Sequence, residues 1–196
     1  MTAESLASQM HIGLRARPKL IAIIGAESTG KTTLARALAD EFSCPMVPEY
    51  LREFCDEHGR TPKVAEQALI LETQLIHERA AQVEASLHQA AFVFCDTAPL
   101  LTAIYSDYVF GDSSLYPRAR ALHPRYALTL LTEPDIAWVA DGLQREGAHV
   151  RASISRMIER ELGALSTPWA RVTGHGAARV QSALRALSAL SCKAEK

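Results

Sequence analysis

The chain has 196 residues, 48% of them hydrophobic and 22% charged, which suits one α/β domain with a full core and leaves little room for a second. Its formal net charge of −1 argues against a general binder of nucleic acid, so any anion must be held by a local site. Cys44, Cys55, Cys95 and Cys192 have neither zinc-knuckle nor CxxC spacing, and a reduced, cytoplasmic setting is expected.

No apolar run approaches the length of a membrane span. Met1 to Pro18 lacks a signal-type stretch and is expected to be a flexible N-terminal arm. Lys19-Leu20-Ile21-Ala22-Ile23-Ile24 is a continuous apolar run ending at Gly25, the pattern of a strand buried on both faces. A helix is predicted from Thr32 to Phe42, with Leu34, Ala35 and Leu38 on one side. Pro45-Met46-Val47-Pro48 reads as a second strand weakened by its prolines. Thr61-Pro62 is a helix start. The long helix it opens, from about Val64 to Gln89, carries a stripe of Ala68, Leu71 and Leu75, with Leu69, Ile76, Val83 and Leu87 close by. Ala91 to Cys95, Tyr126 to Leu131 and Trp169 to Thr173 are the remaining strands, and Ala177 to Leu190 the last helix. The alternation predicts one domain over residues 19–192 with a short tail, 193–196. Its fold is an α/β three-layer sandwich around a five-stranded parallel sheet. Ligands of such sheets sit at the carboxyl ends of the strands, which directs attention to Glu49, Asp96, Glu133, Asp135 and the Gly25 turn.

That turn carries the strongest motif. Gly25-Ala26-Glu27-Ser28-Thr29-Gly30-Lys31-Thr32 matches GxxxxGK[ST], with a strand before it and a helix, entered through Thr33, after it. Glycines let consecutive N–H groups point into one concavity, and the helix N-terminus adds partial positive charge. The reading is an ATP and magnesium site, in which Lys31 reaches the β- and γ-phosphates and the Thr32 hydroxyl ligates the metal. Asp96, at the end of an apolar strand, is the expected metal-organising carboxylate. The competing reading is an ordinary turn aspartate.

Other residues are less decided. Glu49, Tyr50 and Arg52 follow the second strand. Glu49 can accept a proton from an acceptor hydroxyl and Arg52 can hold a phosphate or ribose oxygen, or the two form a solvated pair. Asp96 is the alternative base. Trp138 to Gly147 is polar and glycine-punctuated. It reads as a lid in which Arg145 and Arg151 bring charge to the phosphoryl group, against an exposed arginine-rich helix. The seven histidines have no HxH or HExxH spacing and are expected at the surface. Trp138 and Tyr105 either stack on a planar ligand or belong to the core.

The P-loop, Glu49-Tyr50-Leu51-Arg52-Glu53-Phe54, Asp96-Thr97 and Trp138-Val139-Ala140-Asp141-Gly142-Leu143, in this order, resemble the ribosylnicotinamide kinase domain of NadR-type proteins from Leu20 to about Val180. The resemblance implies a P-loop kinase fold and transfer of the ATP γ-phosphate to the 5′-hydroxyl of nicotinamide riboside, giving nicotinamide mononucleotide in NAD salvage. It puts Glu49, Arg52, Trp138 and Asp141 in or near the substrate pocket. The partner implied is a small molecule, with neither nucleic acid nor membrane. The chain lacks the HxGH-type motif of the family's adenylyltransferase domain. Ala98-Pro99 after Asp96-Thr97 stands where the family has an acidic residue. A kinase for another nucleoside or nucleotide, and a P-loop ATPase module, are the alternatives. A guanine-specific switch is disfavoured, because Thr132-Glu133-Pro134-Asp135 stands where NKxD is expected.

Overall fold

A computed structural model describes residues 17–139 and 148–192. The expected N-terminal arm up to residue 16, the tail 193–196, and residues 140–147 of the expected lid, with Asp141 and Arg145, lie outside the described residues.

Strand β1 (Lys19–Ile24) is the middle of the sheet. On one side it pairs with β3 (Phe92–Asp96), which pairs in turn with β2 (Met46–Val47). On the other side it pairs with β4 (Tyr126–Thr132), which pairs with β5 (Trp169–Val172). All four pairings are parallel, in the order β2-β3-β1-β4-β5. The side-chain alternation of a strand explains why β1 is apolar throughout. Leu20, Ala22 and Ile24 enter one core, and Ile21 and Ile23 enter the other.

Helices cover both faces. The P-loop helix α1 (Lys31–Glu41) and the C-terminal helix α7 (Ala177–Cys192) close the Ile21/Ile23 face with Leu34, Leu38, Ala183 and Leu187. The other face is closed by four helices: α3 (Gln67–Leu87), α4 (Pro99–Phe110), α5 (Tyr116–Leu122) and α6 (Arg151–Ala164). Leu71, Leu75, Leu101, Ile104, Ile154 and Ile158 pack there. Helix α2 (Tyr50–His58) follows β2 directly and buries Phe54 and Cys55.

The predicted strands are present, with β2 cut to two residues between its prolines. The long helix begins as a 3₁₀ turn at Val64–Glu66 and is α-helical from Gln67. Its inward face is Ile70, Leu71, Gln74, Leu75, Glu78 and Ala81. Ala68, grouped by sequence with Leu71 and Leu75, is exposed. Helices α4 and α5 were not anticipated. Leu100, Leu101, Ala103, Ile104 and Ser106 of α4 are all buried, so no polar face marks its period. Helix α5 is too short to show one.

His123 corrects the expectation that the histidines are at the surface. It is 1% exposed, its Nε2 lies 3.0 Å from the Thr129 hydroxyl, and burial pushes its pKa down to about 4. The folded chain therefore binds fewer protons than the unfolded chain between pH 6.5 and about 4. The stability this neutral imidazole contributes is present above pH 6.5 and is lost as pH falls through that window. Glu78 acts in the opposite sense. Burial raises its carboxyl to about 7, although Arg125 and the Tyr126 hydroxyl oppose the rise, so its stabilisation is lost as pH rises from 4.5 to 7. Urea unfolding of wild type and His123→Gln across pH 4 to 7 should differ in slope, the wild type gaining stability with pH relative to the variant, by up to the slope of one bound proton. Parallel curves would refute the assignment.

Candidate functional site

The turn after β1 is built by close approach. A Cβ on Gly25 would lie 2.1 Å from the Thr132 hydroxyl at the end of β4 and 2.8 Å from that of Thr29. The Thr29 hydroxyl bonds the Ala26 carbonyl at 2.8 Å and the Thr132 hydroxyl at 2.8 Å, and Thr132 bonds the Ile24 carbonyl at 3.2 Å. Only a residue without a side chain fits between β1 and β4. Gly30 holds φ +77° at the N-cap of α1, the left-handed geometry that glycine adopts without steric cost. Lys31 then starts α1 and donates to the Ala26 carbonyl at 3.1 Å, so its ammonium is folded over the loop.

Asp96 arrives from the neighbouring strand, because β3 pairs in register with β1 at Ile23. It is 1% exposed, and its Oδ1 has no hydrogen-bond partner among the described residues. Burial raises its pKa; a hydrogen bond with Thr32 and the charges of Lys31, Arg52 and Arg36 oppose the rise. Thr97 follows at φ 95° with its N–H on the Ile23 carbonyl at 3.0 Å. A β-branched residue there is strained, and such strain concentrates at functional sites. A buried carboxylate oxygen left open beside a hydroxyl suits a hard cation that keeps most of its water.

A cavity of about 290 Å³ is lined by Ser28 to Thr33 on one side and by Glu49, Arg52, Ile136, Ala137 and Val139 on the other. Glu49 is the N-cap of α2, and Arg52 sits within the first turn. The expected pair thus shares the phosphate-facing cavity. Tyr50 does not line it. Its N–H is held by Gln74 and its ring packs edge-on to His77. Trp138 is half-buried, and its neighbours Ala137 and Val139 reach the cavity instead. Val139 N–H donates to the Ser28 hydroxyl at 2.9 Å. Arg151, read as a lid residue, is buried at the start of α6 and donates to the Ile136 carbonyl at 3.1 Å and the Ser28 carbonyl at 3.4 Å. It braces the P-loop backbone.

Arg179 of α7 was missed. It is 5% exposed and donates to the carbonyls of Thr29 (2.7 Å), Gly174 (2.6 Å) and Glu133 (3.1 Å), and pairs with Asp135. Glu133 pairs with Arg171, so both carboxylates following β4 are ion-paired. Beside Arg179 an apolar cavity of about 300 Å³ is lined by Gly30, Thr33, Leu34, Ile136, His175 and Val180. The only signal for it in the sequence was Gly174-His175-Gly176 at the end of a strand.

A central strand, a GxxxxGK[ST] turn leading into a helix, and a carboxylate on the adjacent strand end together define a P-loop domain with the fold of nucleoside and nucleotide kinases. A family model described as AAA domain, AAA_28, matches residues 20–179, and the chain belongs to that family. It is 29% identical over 133 residues to the trifunctional NAD biosynthesis/regulator protein NadR of Escherichia coli (strain K12), covering 67% of this chain and 32% of that protein. Identity to the protein of the same name from Salmonella typhimurium is also 29% over 133 residues. The chain thus spans about a third of the length of the curated relatives it matches. Among solved structures, a NadR protein in complex with NAD and AMP-PNP superposes with a TM-score of 0.71 at 22% identity, over 90% of this chain and 50% of that one. Thymidylate kinase from Ehrlichia chaffeensis superposes with a TM-score of 0.63 at 16% identity, over 88% of this chain and 98% of that one. No described helix is long and apolar enough to cross a membrane.

Gly25→Ala should destabilise the domain by about 1–3 kcal/mol or more, the usual cost of overpacking, and weaken nucleotide binding with it. Chemical denaturation and nucleotide titration would measure both effects, and a variant of wild-type stability would refute the packing account.

Proposed function

We propose that the chain is an ATP-dependent kinase for a small nucleoside-type acceptor, with nicotinamide riboside as the substrate. The observation that carries this reading is the shared cavity. The phosphate cradle faces Glu49 and Arg52 across about 290 Å³, so a donor phosphoryl group and an acceptor hydroxyl can meet there. A bare ATPase has no use for a second polar wall.

In this reading the nucleotide base lies in the apolar cavity beside Val180 and the phosphates lie on the backbone of Gly25 to Thr33, including Ala26, Glu27, Ser28 and Thr29. Lys31 turns from the Ala26 carbonyl to the β- and γ-phosphates. Thr32 and Asp96 would hold magnesium, which when bound neutralises phosphate charge. Glu49 orients the acceptor hydroxyl and takes its proton, and Arg52 supplies charge to the transferring group. Phosphoryl transfer passes through a loose transition state, so positioning matters more than base strength. Similarity to NadR proteins, one of them solved in complex with NR, supports the choice of acceptor. The cationic pyridinium of nicotinamide riboside suits an aromatic face and a carboxylate, for which the candidates are Asp141 and Trp138, the latter between the cavity-lining Ala137 and Val139 and not itself in the lining.

ADP release should be measured with nicotinamide riboside, uridine, cytidine, adenosine and thymidine in parallel at one magnesium–ATP concentration. Nicotinamide riboside is expected to be the best acceptor. A better rate with another nucleoside overturns the substrate; hydrolysis without any acceptor overturns the kinase.

Lys31→Ala should lower kcat on the order of a hundredfold or more, as does loss of one preorganised donor, while the circular dichroism spectrum stays native. Asp96→Asn should abolish the magnesium-dependent activity and leave the strand intact. Wild-type turnover in either folded variant would refute the role given to that residue.

A further inference from the structure

Helix α3 has two apolar faces. One is buried: Leu71, Leu75, Ala81 and Ala85 belong to the core on the sheet, and Ile70 is buried beside them in the helix. Opposite it, Leu69, Ile76, Val83 and Leu87 are 53%, 59%, 62% and 76% exposed. With Thr73 and Ala80 they recur at alternating intervals of four and three residues, which is the a/d repeat of a coiled coil. Leu69, Ile76 and Val83 take the d positions, and Thr73, Ala80 and Leu87 the a positions. The b, c and f positions, solvated in an isolated coiled coil, here face the domain's own core. The stripe runs about 27 Å at 1.5 Å per residue. An ordered row of large apolar side chains on the outside of a domain marks an interaction site.

The geometry points to a second copy of this chain as the occupant, with the two α3 helices parallel and in register about a twofold axis running along them. Charge at the flanks selects this arrangement. In a parallel pair each g residue meets the e residue of the following heptad on the partner helix. Arg79 at g then faces the partner's Glu84 at e, and Glu72 faces the partner's His77, each twice. An antiparallel pair would set Arg79 against its own copy. Arg79 and Glu84 are exposed, and neither forms an ion pair with a carboxylate or a cation among the described residues. Glu72 is held by Arg118 of its own chain at 3.0 Å, so the Arg79–Glu84 pair is the one that sets direction. Thr73 at an a position weakens the seam without changing its register. The interface is independent of the catalytic reading, since the stripe lies on the outward face of the layer.

Sedimentation equilibrium of the full chain, from low micromolar to submillimolar concentration, tests this. Wild type should show a monomer–dimer equilibrium. Ile76→Glu, at an exposed position, should keep native circular dichroism and raise the dimer Kd on the order of a hundredfold or more, since two apolar side chains are lost from each seam. Arg79→Glu should weaken the dimer about tenfold, and the double variant Arg79→Glu/Glu84→Arg should recover it, because the reversed pair is again complementary. A wild type that stays monomeric throughout overturns the proposal, as does a dimer that Ile76→Glu leaves intact. A double variant no better than Arg79→Glu overturns the parallel arrangement.

Discussion

The contact between Gly25 and the end of β4 is the constraint on which the site depends. Strand β1 is held between two parallel neighbours, and the chain leaving it has to turn at once into α1. It does so against the hydroxyls of Thr132 and Thr29, in space that a methyl group would occupy. Those hydroxyls bond each other and the carbonyls of Ile24 and Ala26. The turn is therefore pinned to the sheet at its first residue. Arg179 and Arg151, donating to the Thr29 and Ser28 carbonyls, pin it further along. Two of its carbonyls are thus bound to guanidinium groups and that of Ala26 to Thr29 and Lys31, so the loop backbone is held in one arrangement.

The same topology explains why the remaining polar groups converge. In the order β2-β3-β1-β4-β5, the carboxyl ends of β2 and β3 lie on one side of the phosphate turn and those of β4 and β5 on the other. Glu49 and Asp96 thus follow the strands on one side of the turn, the glycines around His175 follow β5 on the other, and Ile136 borders both cavities. Asp96 shows how such a site stores reactivity. Its carboxylate is buried with one oxygen open, beside the strained Thr97, and the Thr32 hydrogen bond and the surrounding cations oppose the effect of burial.

The two faces of α3 illustrate a different principle. A helix in the outer layer of a sandwich needs only one apolar face, and the second one is unexplained by the fold of a single chain. Its regular spacing, together with the Arg79 and Glu84 flanks, separates it from scattered exposed leucines, which need no explanation.

The sequence by itself determined the parallel α/β architecture, the position of each strand, and the phosphate turn. These rest on local rules: apolar runs of strand length, glycines where φ must be positive or a side chain cannot fit, and a lysine and hydroxyl at motif spacing. It also singled out Glu49 and Arg52 after the second strand and Asp96 at the end of the third; the first two line one cavity beside the phosphate turn, and Asp96 lies beside Thr32, within the field of Lys31 and Arg52. It was silent on helix α4, because burial on several sides erases the periodicity that marks a helix. It read His123 as a surface residue, because nothing local reveals that α5 and β4 enclose it. It read Arg151 as part of a lid and passed over Arg179, because a guanidinium bonded to backbone carbonyls 123 and 150 residues away in sequence leaves no local pattern. Tertiary structure alone decided which arginines hold the loop and that Asp135 pairs with one of them, since both depend on distances between elements that only packing sets.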